Sequence, residues 1–378
     1  NYGVKYRWIW DKELYPDLPG IIKRLQEKNI RFLGYFNPFI AEDYDHFAEA
    51  KEKGYLVKDK NGQPYIFQII TFKGGLIDVT NPAAVEWFKG YAREAVKMGM
   101  KGWMCDFGEW LPFDAVLYAG TGEEFHNLYT TAWHRINREV LDEAYPGGDY
   151  AILTRSGFTG EQKVVQFAWA GDQEQDWQDA DGIPTVVTAS LNIGLSGIPY
   201  FTTDIAGFSG GPSTQELFQR WTELGAFTPV MRTHDGLKKF ENHRFDSNAE
   251  TLAHFTKMAK IHAALLPYMK KVASEAATDG LPMIRHTVLV DPDWDKAYTA
   301  RWQWMLGPDL LFAPVVTKGA TEVEVAFPQG EWVHLLTGER FKGRTVAKVK
   351  APIGTPAAFV RAGKLDDIAK NVKAIVGK

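Results

Sequence analysis

Two acids in this chain stand where short apolar runs end, each beside aromatic residues. Asp106 follows Gly102-Trp103-Met104-Cys105 and precedes Phe107-Gly108-Glu109-Trp110; Asp172 closes Trp169-Ala170-Gly171 behind the run Val164–Ala168. α/β barrels place catalytic groups at the C-terminal ends of buried parallel strands. A pair of such acids suits glycoside cleavage, in which one attacks the anomeric carbon and the other protonates the leaving oxygen. Trp103, Phe107, Trp110, Trp169 and Phe208 would then line a slot for the apolar C–H faces of a sugar. A strand-end acid can also simply cap a helix or pair with an arginine.

Further polar residues end strand-like runs: Arg155 after Ala151–Thr154, Asp204 after Tyr200–Thr203, and Arg232-Thr233-His234 after Thr228–Met231. An arginine beside two carboxylates holds one of them ionised and can donate to a sugar hydroxyl. His234 could donate to another hydroxyl, and Glu109 could orient Arg155. Arg232 reads equally as a structural ion-pair partner. Asp106, Glu109, Asp204 and His234 could instead hold a metal, but no His-x-x-x-His or Asp-rich loop accompanies them. No Gly-x-Ser-x-Gly elbow occurs, and Gly207-Phe208-Ser209-Gly210-Gly211 lacks the lysine and spacing of a phosphate loop. Neither a metal nor a cofactor is expected.

These groups need a scaffold that repeats strand and helix. Strand starts are expected at Val4, Arg31, Gly102, Ala151, Val164, Tyr200 and Thr228. Helices are expected over 16–29, 44–53, 82–98, 124–143, 186–195 and 214–224, with 54–80 a long excursion. Alternating strands and helices imply parallel βα units, hence a closed (β/α) barrel or an open doubly wound sheet. Seven such units fit a (β/α)8 barrel that lacks its first strand, most simply one ahead of Asn1. A long helix from about residue 250 covers the barrel. Short runs separated by turns then predict a small antiparallel β-sandwich. The expected domains are residues 1–305 (barrel), 306–364 (sandwich) and 365–378 (terminal helix).

The 378 residues suit a barrel plus an accessory domain. A net charge of -4 offers no basic field for nucleic acid or an anionic membrane. Thirteen tryptophans favour a ligand that is stacked rather than held by charge. Cys105 has no second cysteine to pair with and fits a reducing compartment.

The motifs together resemble glycoside hydrolase family 31. Asp106-Phe107-Gly108-Glu109 is similar to its nucleophile motif and Trp169-Ala170-Gly171-Asp172 to its acid/base motif. Thr154-Arg155-Ser156-Gly157-Phe158, Asp204-Ile205-Ala206-Gly207-Phe208 and Met231-Arg232-Thr233-His234 resemble its other signatures, in the family's order. Leu306-Gly307-Pro308-Asp309-Leu310 resembles its entry into the C-terminal sandwich. The resemblance implies a retaining α-glycosidase with Asp106 as nucleophile and Asp172 as acid/base, the latter kept protonated by an aromatic, desolvated pocket. Arg155 and His234 would bond sugar hydroxyls, and an N-terminal β-domain would be absent. Asp-Phe-Gly-Glu with Trp110-Leu111-Pro112, and Ala170-Gly171-Asp172-Gln173, look like the sulfoquinovosidase branch. That branch carries a tyrosine where Phe208 stands, and its sulfonate-binding arginine and tryptophan should fall near residues 3–8. Gly3 and Tyr6 occupy the direct match, with Lys5, Arg7 and Trp8 alongside. An α-glucosidase-like activity is therefore expected first and a sulfoquinovosidase second, with a lyase, a glycan binder or an inert fragment as rivals. The expected partner is a small glycoside or oligosaccharide.

Overall fold

The computed structural model describes residues 6–69 and 71–376. The chain divides into two compact units, Asn1–Phe167 and Ala168–Lys378.

The first unit runs α1 (Leu18–Glu27), β1 (Gly34–Phe36), β2 (Phe39–Ala41), α2 (Asp45–Glu52), β3 (Ile66–Ile69), β4 (Phe72–Leu76), α3 (Pro82–Lys97), β5 (Gly102–Cys105), α4 (Gly122–Ala144) and β6 (Ala151–Thr154). Strands β1, β5 and β6 are parallel, with Phe36 opposite Cys105 and Cys105 opposite Thr154. Helix α3 starts where Asn81 caps it, its side chain accepting from the Ala83 and Ala84 amides, with Pro82 in the first turn. In α4, Thr121 and Glu124 form a reciprocal capping box, so the helix begins ahead of the expected residue 124. Phe88 and Trp133 pack these two helices together, ring centroids 4.7 Å apart.

The pairing of β5 with β6 requires glycine at its start. Gly102 has φ 116°, and a Cβ there would stand 1.9 Å from the Ala151 carbonyl oxygen. Gly102→Ala should therefore destabilise the chain by roughly 3 kcal/mol, since it combines a left-handed residue with a backbone clash. Urea unfolding followed by tryptophan fluorescence measures this.

The expected strand over Val4–Trp10 is not a strand where it is described. Residues 4 and 5 lie outside the described residues, and Tyr6–Trp10 form no ladder. Trp8 adopts φ 58° and turns inward, its indole N–H donating to the Asn37 carbonyl at 2.7 Å. The 54–80 excursion contains structure that the sequence hid. Strands β2, β4 and β3 form an antiparallel sheet, and Gly74 lets β4 approach β2, since a Cβ would lie 2.6 Å from the Ile40 carbonyl oxygen. Gly74 and Gly75 interrupt the alternation that would have marked this strand.

The second unit takes over at β7 (Phe167–Trp169) and continues with α5 (Ile183–Leu195), β8 (Tyr200–Thr202), β9 (Asp204–Ile205), α6 (Gln215–Ala226), β10 (Arg232–Thr233) and α7 (Ala249–Asp279). β9 and β10 are parallel, Asp204 opposite Arg232. The strand expected from Thr228 begins only at Arg232, because the Thr228 hydroxyl bonds locally, with the Gly225 carbonyl 2.8 Å away as its nearer acceptor.

An antiparallel sheet follows, built from β11 (Ile284–Arg285), β12 (Trp304–Leu306), β13 (Leu310–Ala313), β15 (Glu331–His334), β16 (Arg340–Lys342) and β18 (Ala357–Arg361). Beside it, β14 (Glu322–Phe327) pairs with β17 (Thr345–Lys350), and α8 (Asp366–Val376) ends the described chain. The boundary expected at 306 falls inside this sheet, because the two-residue strand β11 is too short to show a period. Trp221, Phe227, Met258, Leu265, Trp304 and Phe312 share one apolar core that joins α6 and α7 to the sheet. No helix among the described residues is long and apolar enough to cross a membrane.

Burial also makes this unit sensitive to acid. His334 is 1% exposed, and its Nδ1 accepts from the Leu336 and Thr337 amides. Burial pushes its pKa down from 6.5 to about 4. An unfolded chain gains a proton on this ring below the ordinary value, whereas the folded chain does not until about 4. Stability is thus full above the ordinary value and falls as pH drops through this window, by about 3 kcal/mol on account of this residue. His334→Asn keeps an acceptor for the two amides and does not titrate, so its urea midpoint should fall less between pH 7 and pH 4.

Candidate active site

Strand β5 ends at Cys105, and the Asp106 amide still donates to the Phe36 carbonyl at 2.9 Å, so Asp106 occupies the C-terminal edge of the parallel sheet. The next two residues turn the chain sharply, with φ 61° at Phe107 and 106° at Gly108. A non-glycine residue in this region is strained by about 1–2 kcal/mol. Gly108 also lies against Thr130 of α4, where a Cβ would come 2.9 Å from the Thr130 hydroxyl.

Two hydrogen-bond donors and a guanidinium meet on the Asp106 carboxylate, which is 9% exposed. The Tyr35 hydroxyl donates to Oδ2 at 2.6 Å and the Phe107 amide to Oδ1 at 2.8 Å. Arg155 Nε lies 3.2 Å from Oδ1. The same guanidinium donates to Glu109 Oε1 from Nε at 3.1 Å and from Nη2 at 2.7 Å, so its contact with Asp106 is an ion pair, and it sits 4.4 Å above the Phe107 ring centre. Arg155 is thus shared by two carboxylates and backed by an aromatic face. The Tyr35 ring is 42% exposed, yet its hydroxyl end is crowded by protein. Burial first, then the negative charge of Asp106, hold that hydroxyl well above its ordinary pKa, so it stays a donor.

Trp103 does not face this carboxylate. It is fully buried, packs against Phe36 and donates its indole N–H to Asn137 at 2.9 Å. It is a core residue, not a sugar wall, because the ladder of β5 with β1 and β6 decides which face it takes. Phe107 is buried under Arg155 and against Phe39 and Trp110. Sequence reasoning missed Tyr35. Its one available signal was a tyrosine inside the short strand β1, whose polar tip can reach the sheet edge.

The second unit gathers another polar group. Trp169 ends β7, Gly171 takes φ 92°, and Asp172 follows as an exposed residue. A desolvated pocket was expected around Asp172, but among the described residues its side chain is exposed, since the chain turns at the left-handed Gly171 just before it. The Ser209 hydroxyl donates to the Asp172 carbonyl at 2.8 Å, and the Phe208 amide to the Gln173 carbonyl at 2.8 Å. This lacing needs Gly207, whose Cβ would come 2.9 Å from the Gln173 carbonyl oxygen.

Asp204 is 3% exposed and pairs with Arg232 Nη2 at 2.6 Å. Burial raises the pKa of Asp204, Arg232 and His234 oppose that rise, and the charge of Asp172 adds to it. Asp172 and Asp204 are therefore close enough to feel each other. Arg232 lies over the Trp169 ring at 5.7 Å. His234 is exposed and meets Phe208 edge-on at 5.0 Å. Its Nδ1 accepts from the Gly236 amide at 2.9 Å, which leaves the proton on Nε2 as a donor. The structure thus groups Asp106, Glu109, Arg155 and Phe107 in one unit, and Asp172, Asp204, Arg232, His234, Trp169 and Phe208 in the other. No three histidine, cysteine or acidic side chains among the described residues come together as a metal site would require.

The chain was compared with known proteins. The model of the glycosyl hydrolases family 31 TIM-barrel domain matches residues 2–272, and that of the family's C-terminal domain matches residues 280–365. A sulfoquinovosidase of Escherichia coli K12 is 40% identical over 95% of this chain and 54% of its own length. One from Agrobacterium fabrum is 38% identical over 96% of this chain and 56% of its own length. The solved sulfoquinovosidase from E. rectale, in complex with the aza-sugar inhibitor IFGSQ, superposes with a TM-score of 0.95 at 36% identity, over 98% of this chain and 56% of that one. The chain spans about half the length of these curated relatives. The two domain matches follow one another in the order of the barrel and the antiparallel sheet: the chain belongs to glycosyl hydrolase family 31.

Proposed function

We propose that this chain carries the catalytic part of a retaining α-glycosidase that cleaves an α-linked hexoside. The observation that carries this reading is the Asp106 carboxylate at the end of β5, held by Tyr35, Arg155 and its neighbouring amide. Asp106 attacks the anomeric carbon while the glycosidic C–O bond breaks and Asp172 gives its proton to the leaving oxygen. Water then attacks the anomeric carbon of the glycosyl ester, passes a proton to Asp172 and frees Asp106. Two inversions at one carbon give net retention.

Asp172 regains from the attacking water the proton that it gave to the leaving oxygen, so one carboxyl serves as acid in the first step and as base in the second. His234 Nε2–H is assigned to a sugar hydroxyl. Arg155 is assigned to a further sugar hydroxyl. Asp204, screened by Arg232, is assigned to a second hydroxyl. Trp169 and Phe208 are assigned to the C–H faces of the ring.

An α-sulfoquinovoside is the second reading of the substrate, favoured by the names of the relatives at 40 and 38% identity. Two observations support a neutral hexose instead. Phe208 has no hydroxyl to offer a sulfonate. Arg7 is engaged by Asp11 at 2.9 Å and by the Tyr44 ring, and Trp8 is turned inward, while Gly3 and Lys5 lie outside the described residues. Initial rates on 4-nitrophenyl α-glucoside, α-galactoside and α-sulfoquinovoside decide between them. Proton NMR of the first-formed sugar decides retention; a β-anomer, or an unsaturated sugar from elimination, would overturn the mechanism.

A further inference from the structure

Behind the Asp106 loop lies a buried polar chain to which none of the proposed catalytic roles assigns a task. Glu161 is 2% exposed and His134 is fully buried, and Glu161 Oε1 lies 2.7 Å from His134 Nδ1. The other ring nitrogen, Nε2, lies 2.8 Å from the Thr154 hydroxyl. That hydroxyl donates to the Ser156 carbonyl at 3.0 Å and accepts from the Ser156 amide at 3.3 Å, closing the turn that carries Arg155. The Ser156 hydroxyl donates to the Phe107 carbonyl at 2.7 Å and meets Thr130 at 2.6 Å. Thr131 donates to the free oxygen of Glu161 at 2.6 Å.

The direction of this chain is assigned here with the Thr154 proton on the Ser156 carbonyl. A hydroxyl has one proton, and that of Thr154 is spent on the Ser156 carbonyl. The contact with His134 therefore needs the proton on Nε2. The 2.7 Å contact of Nδ1 with Glu161 needs a further proton, lying on either partner. In both forms the pair is neutral overall and offers Thr154 an N–H. Reversing the chain would free the Ser156 carbonyl and loosen the turn beneath Arg155.

We propose that His134 and Glu161 are positioning residues. Through Thr154 they set the turn that aims Arg155 at Asp106, and so the orientation of the attacking carboxylate. The inference rests on the reading of Asp106 as nucleophile. Its geometric part, that Glu161 and His134 place Arg155, stands apart from that reading.

Three variants separate this from simple core stability. Glu161→Leu removes the partner that fixes Nδ1. Thr154→Val leaves the Glu161–His134 pair intact but severs it from the turn. Glu161→Gln preserves the direction, because its amide can donate to Nδ1 while its oxygen accepts from Thr131. Per folded molecule, Glu161→Leu and Thr154→Val should each lower kcat 10- to 100-fold with KM within threefold. The double variant should lose no more than the worse single one, as expected for one shared path. Glu161→Gln should stay within about threefold of the unsubstituted chain.

In 15N-labelled protein the Arg155 Nε–H resonance should shift in Thr154→Val and Glu161→Leu, but not in Glu161→Gln. An unmoved resonance or an unchanged kcat in Thr154→Val overturns the proposal, as do additive losses in the double variant. If the unsubstituted chain cleaves no α-glycoside, the glycosidase reading has failed. The Arg155 resonance then decides the positioning role by itself.

Discussion

Asp106→Asn is expected to lower turnover of an aryl α-glycoside on the order of 10⁴-fold or more, as loss of the nucleophile does in covalent catalysis. Asparagine keeps the size of the side chain and an oxygen that can still accept from Tyr35 or the Phe107 amide. It has no negative oxygen to attack carbon, and its NH2 group would face either the Tyr35 hydroxyl or the Arg155 guanidinium. The variant should fold, because two donors and a cation gathered on one carboxylate serve chemistry more than stability. Circular dichroism and the urea midpoint check the fold, and initial rates check the chemistry. Turnover within tenfold of the unsubstituted chain would remove Asp106 from the mechanism.

Asp172→Ala should give a loss that depends on the leaving group. With a poor leaving group such as an alkyl alcohol, bond cleavage needs the proton, and the loss should reach about 10²–10⁴-fold. With 2,4-dinitrophenolate the first step scarcely needs an acid, so a burst of phenolate should precede a slow steady state as the glycosyl ester builds up on Asp106. Azide needs no general base to attack. It should therefore restore turnover and yield the α-glycosyl azide, identifiable by NMR. Equal losses on both substrates, with no rescue, would assign the proton transfer to another residue. Asp204 would be the next candidate, since burial already raises its pKa and Asp172 adds to the effect.

The two acids were legible because each closes an apolar run beside small residues and aromatics, a pattern confined to a few neighbours in sequence. Ala151–Thr154 was legible as a short apolar run that ends at Arg155, and the structure places the strand at those bounds. Trp103 was misread because a tryptophan three residues before a strand-end acid looks alike whether it faces the core or the mouth. Tyr6–Trp10 was misread because its apolar residues suit a strand, while the Asn37 carbonyl pulls Trp8 into a left-handed turn. The sheet of β2, β3 and β4 was invisible because the glycines that allow its close approach also erase its alternation.

By itself the sequence determined the repeating strand and helix order, the identity of the strand-end acids and the family to which they point, since these depend on local periodicity and residue type. Only the tertiary structure decided which groups touch them. Tyr35 meets Asp106 across 71 positions and Glu161 meets His134 across 27. Neither contact leaves a local trace, because a hydrogen bond between neighbouring elements is set by register and helix packing rather than by spacing along the chain.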